Sequence, residues 1–373
     1  MGDSDLIGLM RELGQDFAKR TAAHDVDDSF VAENYATLKA AGALQAGIPT
    51  ELGGGGASHA ELCAMIRELG HHCSSTALAF SMHTHLIATL AYIWRSGNKG
   101  PEGLLRRVVA EKLVLISTGG SDWLGSSGKL EKVEGGFRMT GRKIFGSGVP
   151  SGDLLMTTGI YEDPTLGPTV IHFPVSLKAD GVKVLDTWRV HGMRGTGSHD
   201  VMLEGVFIPE AVAAAGVHRP AGKWHPFFHT VTMVALPVIY AAYLGVAEAA
   251  RDLAIRLAGN KKNDAATPLL IGEMENELVT AQLAHAGMVD LTANQKPGPA
   301  TTSAAACRRT ILGKALIRSV EKAMEAVGGV GFYREAGLER AWRDIQGARY
   351  HPIQEKPQLK LTGRFLLGLD IDG

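Results

Sequence analysis

The middle of the chain has a different hydrophobic pattern from its two ends, and this difference limits the folds open to it. Residues 1–112 carry apolar side chains at helical spacing, for example Leu6, Leu9 and Leu13. Residues 113–212 contain short alternating runs of apolar and polar residues separated by glycines, which is typical of strands joined by turns. Residues 213–373 return to long helical patterns. The sequence therefore predicts a helical domain, an all-β domain built as a small barrel or sandwich, and a second helical domain.

The charge and the cysteines of the chain exclude several kinds of partner. Lys and Arg number 38 against 39 Asp and Glu, and the net charge of −1 gives no electrostatic basis for binding nucleic acid or an anionic membrane. Cys63, Cys73 and Cys307 are spaced too widely for a zinc site, so we expect buried thiols and no bound metal. No apolar run is expected to cross a membrane and the first residues lack a signal-peptide core, which predicts a cytoplasmic protein.

Residues 323–355 combine a glycine turn with a charged cluster. Gly328, Gly329 and Gly331 separate two helical patterns, and free backbone N–H groups at such a turn suit an anionic ligand. The segment ends close to His351 and Glu355, two side chains that can move protons. We therefore expect this segment to contribute to a functional site.

Five short segments follow one another along nearly the whole chain in a fixed order. They are GALQAGIPTELGGGG, STGGSDW, GGFRMTGRKIFGSG, WRVHGMRGTGSHDVMLEGVFIP and VGGVGFYREAGLERAWRD. Together they resemble motifs of the acyl-CoA dehydrogenase superfamily of flavoproteins. The resemblance implies an α+β fold with an N-terminal α-helical domain (1–112), a middle β-barrel domain (113–212) and a C-terminal four-helix bundle (213–373). It also implies a homodimer or homotetramer.

The resemblance implies FAD as the cofactor, or FMN if the protein is a monooxygenase. The residues implied to contact it are Ser117 and Thr118 at the pyrimidine edge, Ser121 in the same segment, Phe145 against the ring, Ser147 near N5, and Glu325, Gly328 and Gly329 at the adenosine end of a neighbouring subunit's FAD. An isoalloxazine ring needs a flat apolar face and hydrogen-bonding groups at its edge, which these residue types provide. The ordinary alternatives are a core position for Phe145, a turn for Ser147 and a helix C-cap for the glycines.

The resemblance implies that His85, Arg194 and Ser198 contact the substrate. His83 and His85 are two residues apart on one helix, so at most one of them can point into a site. A satisfied core histidine and a solvated arginine in a surface turn are the alternatives for His85 and Arg194.

The position of the family's catalytic base holds no acid in this sequence. In the family a glutamate removes the α proton of an acyl thioester, and counting from the Arg-Asp motif places Pro352 at that position. The second position used in the family falls near Ala235. His351 and Glu355 are therefore the candidate bases.

Three functions remain open at this point. The first is an FAD-dependent dehydrogenase that oxidises an acyl thioester, with acyl-CoA as substrate and an electron-transfer flavoprotein as partner, and this is the prediction adopted. The second is a two-component monooxygenase that takes reduced flavin from a flavin reductase and uses O₂, which FGSG, RGTGSHD and ARYHP resemble. The third is a non-catalytic subunit that binds flavin or acyl-CoA.

Overall fold

The computed structural model describes residues 3–371, with side chains from residue 6, and begins with five helices. They are α1 (Asp3–Asp27), α2 (Ala32–Ala40), α3 (His59–His72), α4 (Ser74–Arg95) and α5 (Glu102–Glu111). Ser58 and Glu61 form a capping box that fixes the start of α3, since each side chain accepts from the other residue's backbone N–H. Helix α4 is buried over most of its length, so it belongs to the interior of the protein.

Residues 115–220 form one mixed sheet of eight strands. They are β1 (Leu115–Ser117), β2 (Gly128–Val133), β3 (Gly136–Gly146), β4 (Leu154–Asp163), β5 (Gly167–Ser176), β6 (Val182–Leu185), β7 (His199–Pro209) and β8 (His218–Pro220). The strand order is β6-β7-β3-β2-β4-β5-β8, and β1 pairs with β4 in parallel. Two short helices, α6 (Gly120–Gly125) and α7 (Glu210–Ala214), interrupt this part of the chain. The predicted order of helical, β and helical parts is confirmed.

The C-terminal part consists of three long helices followed by two short ones. They are α8 (Pro226–Ala258), α9 (Ala266–Asn294), α10 (Pro299–Val327), α11 (Leu338–Ile345) and α12 (Glu355–Leu366). The ring of His225 accepts from the backbone N–H of Phe227 at the start of α8. Helix α8 packs against α3, α4, α9 and α10, so it joins the two helical parts through one core.

Two helices are long and apolar enough to cross a membrane by length and composition alone, contrary to the expectation from the sequence. They span Ser74–Arg95 and Pro226–Lys261, and 83% and 89% of their most apolar windows are buried inside the protein. Their apolar residues are therefore used in the core. The thiols of Cys63 and Cys73 are buried as expected, whereas Cys307 is partly exposed.

Candidate functional site

A cavity of about 770 Å³ lies where the sheet meets α4, α8 and the C-terminal segment. The side facing the sheet is formed by Ser117, Thr118, Gly119, Gly120, Phe145 and Ser147. The helical side includes Leu78, Met82 and His85 of α4 and Val231, Thr232, Ala235, Leu236, Ile239 and Tyr243 of α8. Residues from two further stretches, 188–193 without Arg189 and 342–354 without Asp344, Ile345 and Ala348, close the remaining sides. Segments distant in sequence thus meet at one largely apolar space of the size that small ligands occupy.

Phe145 presents its ring to this cavity from a strained backbone position. Its φ is +59°, a value that side chains other than glycine rarely adopt, and the residue remains 51% exposed. The ring makes an edge contact with Trp188, whose centroid lies 6.1 Å away. Such strain, of about 1–3 kcal/mol, is typical of functional sites. Phe145 is therefore an exposed aromatic surface in the cavity and is not part of the core.

Ser147 stands at the end of a chain of three hydroxyl groups. The Oγ atoms of Ser147 and Ser198 are 2.7 Å apart, as are Ser198 Oγ and Thr196 Oγ1. Thr196 uses its single hydroxyl proton to donate to the carbonyl of Met193 at 2.9 Å. Ser198 must then donate to Thr196, and Ser147 must donate to Ser198, because each hydroxyl has one proton. Ser147 therefore offers a lone pair to the cavity and keeps its proton pointed away from it.

A buried ion pair supports the segment that carries Ser117 and Thr118. Lys143 Nζ lies 2.7 Å from Asp122 Oδ1, and both side chains are at most 1% exposed. Burial raises the pKa of Asp122, but the charge of Lys143 and the surrounding donors outweigh it and hold the pKa below its usual value. Thr118 donates to Asp122 at 2.8 Å, and Ser117 donates to the Thr118 carbonyl at 3.2 Å. Both hydroxyl protons are thus used within the chain.

The two histidines of α4 have different surroundings. His83 Nε2 lies 2.9 Å from the Leu44 carbonyl, and its Nδ1 accepts from the backbone N–H of Leu115 at 3.0 Å, so His83 is a satisfied core residue. His85 lines the cavity, and its buried Nδ1 has no hydrogen-bond partner among the described residues. Burial lowers the pKa of His85 to about 3, so the ring is neutral at pH 7. His85 is the one of the two that is available to a ligand.

His351 lines the same cavity and is anchored by Tyr243. The Tyr243 hydroxyl and His351 Nε2 are 2.8 Å apart. Burial, assisted by the charge of Arg309, lowers the pKa of His351 to about 4. Pro352 and Ala235 also line the cavity, so both positions expected for an acidic base do lie at the site. Among the described residues that form the cavity there is no Asp or Glu.

Six of the residues predicted to contribute lie outside the cavity. Glu355 begins α12 and pairs with Lys314 at 2.5 Å, outside the cavity. Ser121 is exposed on α6 and does not reach the cavity. Arg194 is engaged in an ion pair with Asp28, so it is not a solvated turn residue.

Glu325, Gly328 and Gly329 also lie outside this chain's cavity, at the end of α10. Glu325 pairs on the surface with Lys322 at 2.9 Å. Their contact with a neighbouring subunit's cofactor stays a prediction.

Sequence reasoning missed the aromatic residues that form much of the cavity. Phe145 was predicted, whereas the aromatic residues missed are Trp123, Trp188, Trp224, Phe228, Tyr243, Trp342 and Tyr350. They come from separate segments between residues 123 and 350. Trp123, Trp188 and Trp342 lie within three of the five family-like segments, but the motifs do not single them out as ligand contacts. The signal that could have found them was tryptophan itself, since four of the chain's 5 tryptophans line the cavity.

Comparison with protein families supports the motif-based prediction. Residues 7–100 match the N-terminal domain of acyl-CoA dehydrogenase, and residues 238–355 match a C-terminal domain of acyl-CoA dehydrogenase, together more than half of the chain.

Two curated relatives and one solved structure illustrate the range of similar proteins. YdbM of Bacillus subtilis, named as an acyl-CoA dehydrogenase, is 29% identical over 91% of each chain. A pigment production hydroxylase of Rhodococcus is 26% identical over 99% of this chain and 97% of its own. The structure of KijD3 with FMN and a dTDP-linked amino sugar has a TM-score of 0.90 at 24% identity, covering 100% of this chain and 95% of the other. This last likeness establishes the fold.

Proposed function

Because this chain belongs to the acyl-CoA dehydrogenase family, we propose a function within that family: a flavin-dependent monooxygenase that uses reduced flavin and O₂. The observation that carries this proposal is the cavity itself, which contains both positions of the family's base but no carboxylate among its described residues. The pigment production hydroxylase is similar over nearly the whole length of the chain, which supports the same branch.

The cavity suits the dehydrogenase alternative poorly, even though YdbM carries that name. Removing the α proton of an acyl thioester requires a base whose pKa lies near the working pH. The candidates left at the site are His85 and His351, whose pKa values of about 3 and about 4 make both rings weak bases at pH 7. Pro352 and Ala235 have no group that can accept a proton.

The residues present fit a flavin ring. The half-exposed ring of Phe145 provides a flat apolar face, and Ser147 provides an acceptor at its side. Gly119 and Gly120 keep the adjoining surface open, because a Cβ at Gly119 would lie 3.1 Å from the Phe145 ring and one at Gly120 would lie 2.3 Å from Pro352. FMN is the form favoured here, since KijD3 is described with FMN.

Reduced flavin would supply the two electrons with which O₂ is split between a hydroxylated product and water. The protein's own contribution begins with the apolar and aromatic side chains of the cavity, which exclude bulk water from the reacting groups. His85 and His351 are neutral, so each can donate at one ring nitrogen and accept at the other. The Tyr243 hydroxyl fixes the orientation of His351. These two rings are the groups that can move protons at the site.

The test has two parts, and the first uses the purified protein and FMN under argon. Acyl-CoAs of several chain lengths are expected to leave the absorbance of the oxidised flavin unchanged. Supplying reduced FMN with a flavin reductase, NADH and isotopically labelled O₂ is expected to place one labelled oxygen atom in an aromatic compound such as indole. Bleaching of the flavin by an acyl-CoA would support the dehydrogenase instead. If FMN binds in neither redox state, a non-catalytic role remains.

We also propose a homo-oligomer, which the surface next to the glycine turn supports. Val330, Phe332 and Tyr333 follow that turn and are 51%, 82% and 70% exposed. Exposed apolar side chains that lie next to one another are a feature of protein interfaces. Light scattering on the wild type and on Phe332→Ser would test this, because the substitution is expected to lower the mass of the particle at equal concentration. An unchanged mass would remove Phe332 from the interface.

A further inference from the structure

We propose that the substrate is a neutral aromatic molecule carrying one hydrogen-bonding group. The inference rests on the proposed function, because it concerns the molecule that would share the cavity with the flavin. Three features of the cavity support it: the distribution of its aromatic side chains, the pairing or exposure of its charged groups, and the small number of its unpartnered polar groups.

The aromatic side chains stand at different borders of the cavity. Trp224 and Phe228 form an edge contact with ring centroids 5.5 Å apart at the start of α8. Trp342 of α11 lies across the cavity's C-terminal side, and its ring meets His191 at 5.7 Å. Aromatic pairs gain attraction from ring geometry in addition to burial. A flat aromatic ligand can use these surfaces, whereas a saturated ligand of equal size gains burial alone.

The charges at the cavity are already paired or lie at its edge. Among the described residues that form it, only Arg343 and Arg349 carry a full charge at pH 7. Arg343 is held by Asp25 at 2.5 Å and by Glu339 at 2.7 Å. Arg349 is exposed and donates to Gln346 at 2.9 Å. An anionic group such as a diphosphate would therefore find no unpaired cation inside, and its desolvation would weaken binding.

Few polar groups face the interior without a partner of their own. Trp123 lines the cavity, and its buried Nε1–H has no hydrogen-bond partner among the described residues. His85 contributes its unpartnered Nδ1. These protein groups can pair with a single hydroxyl or N–H of a ligand. A ligand with many polar groups would have most of its own polar groups left without a hydrogen bond. This restricts the substrate to an apolar ring system with one polar position.

The experiment compares ligands that differ in one property at a time. The affinities of 2-naphthol and of its saturated counterpart 2-decalol are measured by calorimetry on the wild-type protein, with and without FMN. Thymidine diphosphate and coenzyme A are then added as competitors. We expect 2-naphthol to bind about tenfold more tightly than 2-decalol, and we expect neither anion to displace it. Equal affinities, or displacement by either anion at an equal concentration, would overturn the inference.

Two variants locate the preference in the cavity. Trp224→Leu and Trp342→Leu remove the aromatic surfaces at the two sides while keeping apolar bulk, and at least one is expected to reduce the preference for 2-naphthol by about fivefold. Trp94→Leu, outside the cavity, is the matched control. A preference that persists in both cavity variants would contradict the inference. If FMN fails to bind while 2-naphthol binds as expected, the proposed monooxygenase fails but the ligand class stands.

Discussion

Removing the buried ammonium group of Lys143 should destabilise the protein far more than removing an exposed one. In Lys143→Met the side chain keeps its apolar length, but the Asp122 carboxylate loses its counterion at 2.7 Å and the Thr158 carbonyl loses a donor at 2.7 Å. Both members of the pair are at most 1% exposed, so water cannot replace the lost charge. Breaking such a pair from one side costs about 3–5 kcal/mol.

In Lys143→Met several groups would still donate hydrogen bonds to the Asp122 carboxylate. Asp122 would keep donors from Thr118, Thr157 and Ser127 at 2.7–3.1 Å. We therefore expect a loss nearer 3 than 5 kcal/mol in the free energy of unfolding. Protonation would neutralise Asp122, so the difference from wild type should shrink as the pH falls from 7 to 5.

The assay is urea unfolding followed by circular dichroism. Lys132→Met is the control, because Lys132 pairs with Glu210 on the surface and its loss should cost less than about 1 kcal/mol. The double variant Asp122→Asn/Lys143→Met removes both charges and should recover part of the stability. A Lys143→Met protein within 1 kcal/mol of wild type would refute the reasoning, as would a double variant no more stable than the single one.

Three further predictions concern the cavity. His351→Phe should make the free energy of unfolding less sensitive to acid between pH 6.5 and 4, by about 1.4 kcal/mol per pH unit. The reason is that folded wild type keeps His351 neutral down to about pH 4, whereas the unfolded chain takes up a proton below about pH 6.5. Urea unfolding that gives the same dependence of this free energy on pH for variant and wild type would contradict the prediction. Wild type should bind reduced FMN about tenfold more tightly than oxidised FMN. Reduced flavin has an N–H at N5 that can donate to Ser147, whereas the bare N5 of oxidised flavin needs a donor, and Ser147 can accept but not donate. Ser198→Ala should reduce that ratio and Thr196→Ser should keep it in anaerobic absorbance titrations; an unchanged ratio in Ser198→Ala would remove the hydroxyl chain from flavin selection. Phe145→Ala should weaken FMN binding about tenfold in the same titrations, and an affinity equal to wild type would show that the ring makes no contact with the flavin.

The sequence alone determined the order of the domains and the position of the missing base. Helical periodicity, strand alternation and glycine turns are local properties, so they can be read without knowing which segments meet. The resemblance to the family, with the spacing counted from its motifs, implied an acid at the positions of Pro352 and Ala235, and both residues border the cavity. Phe145, Ser147 and His351 were found in the same way.

Only the tertiary structure decided what each polar side chain does. His83 and His85 are alike in the sequence, but packing directs His83 to the Leu44 carbonyl and leaves His85 at the cavity. Glu355 was predicted as a base, but Lys314, 41 residues away in the sequence, donates to its carboxylate. A hydrogen bond or an ion pair depends on which distant group lies within about 3 Å, and burial then sets the pKa. Neither quantity is encoded in local spacing, so the aromatic cavity and its neutral histidines emerge only when the sheet, α4, α8 and the C-terminal segment come together.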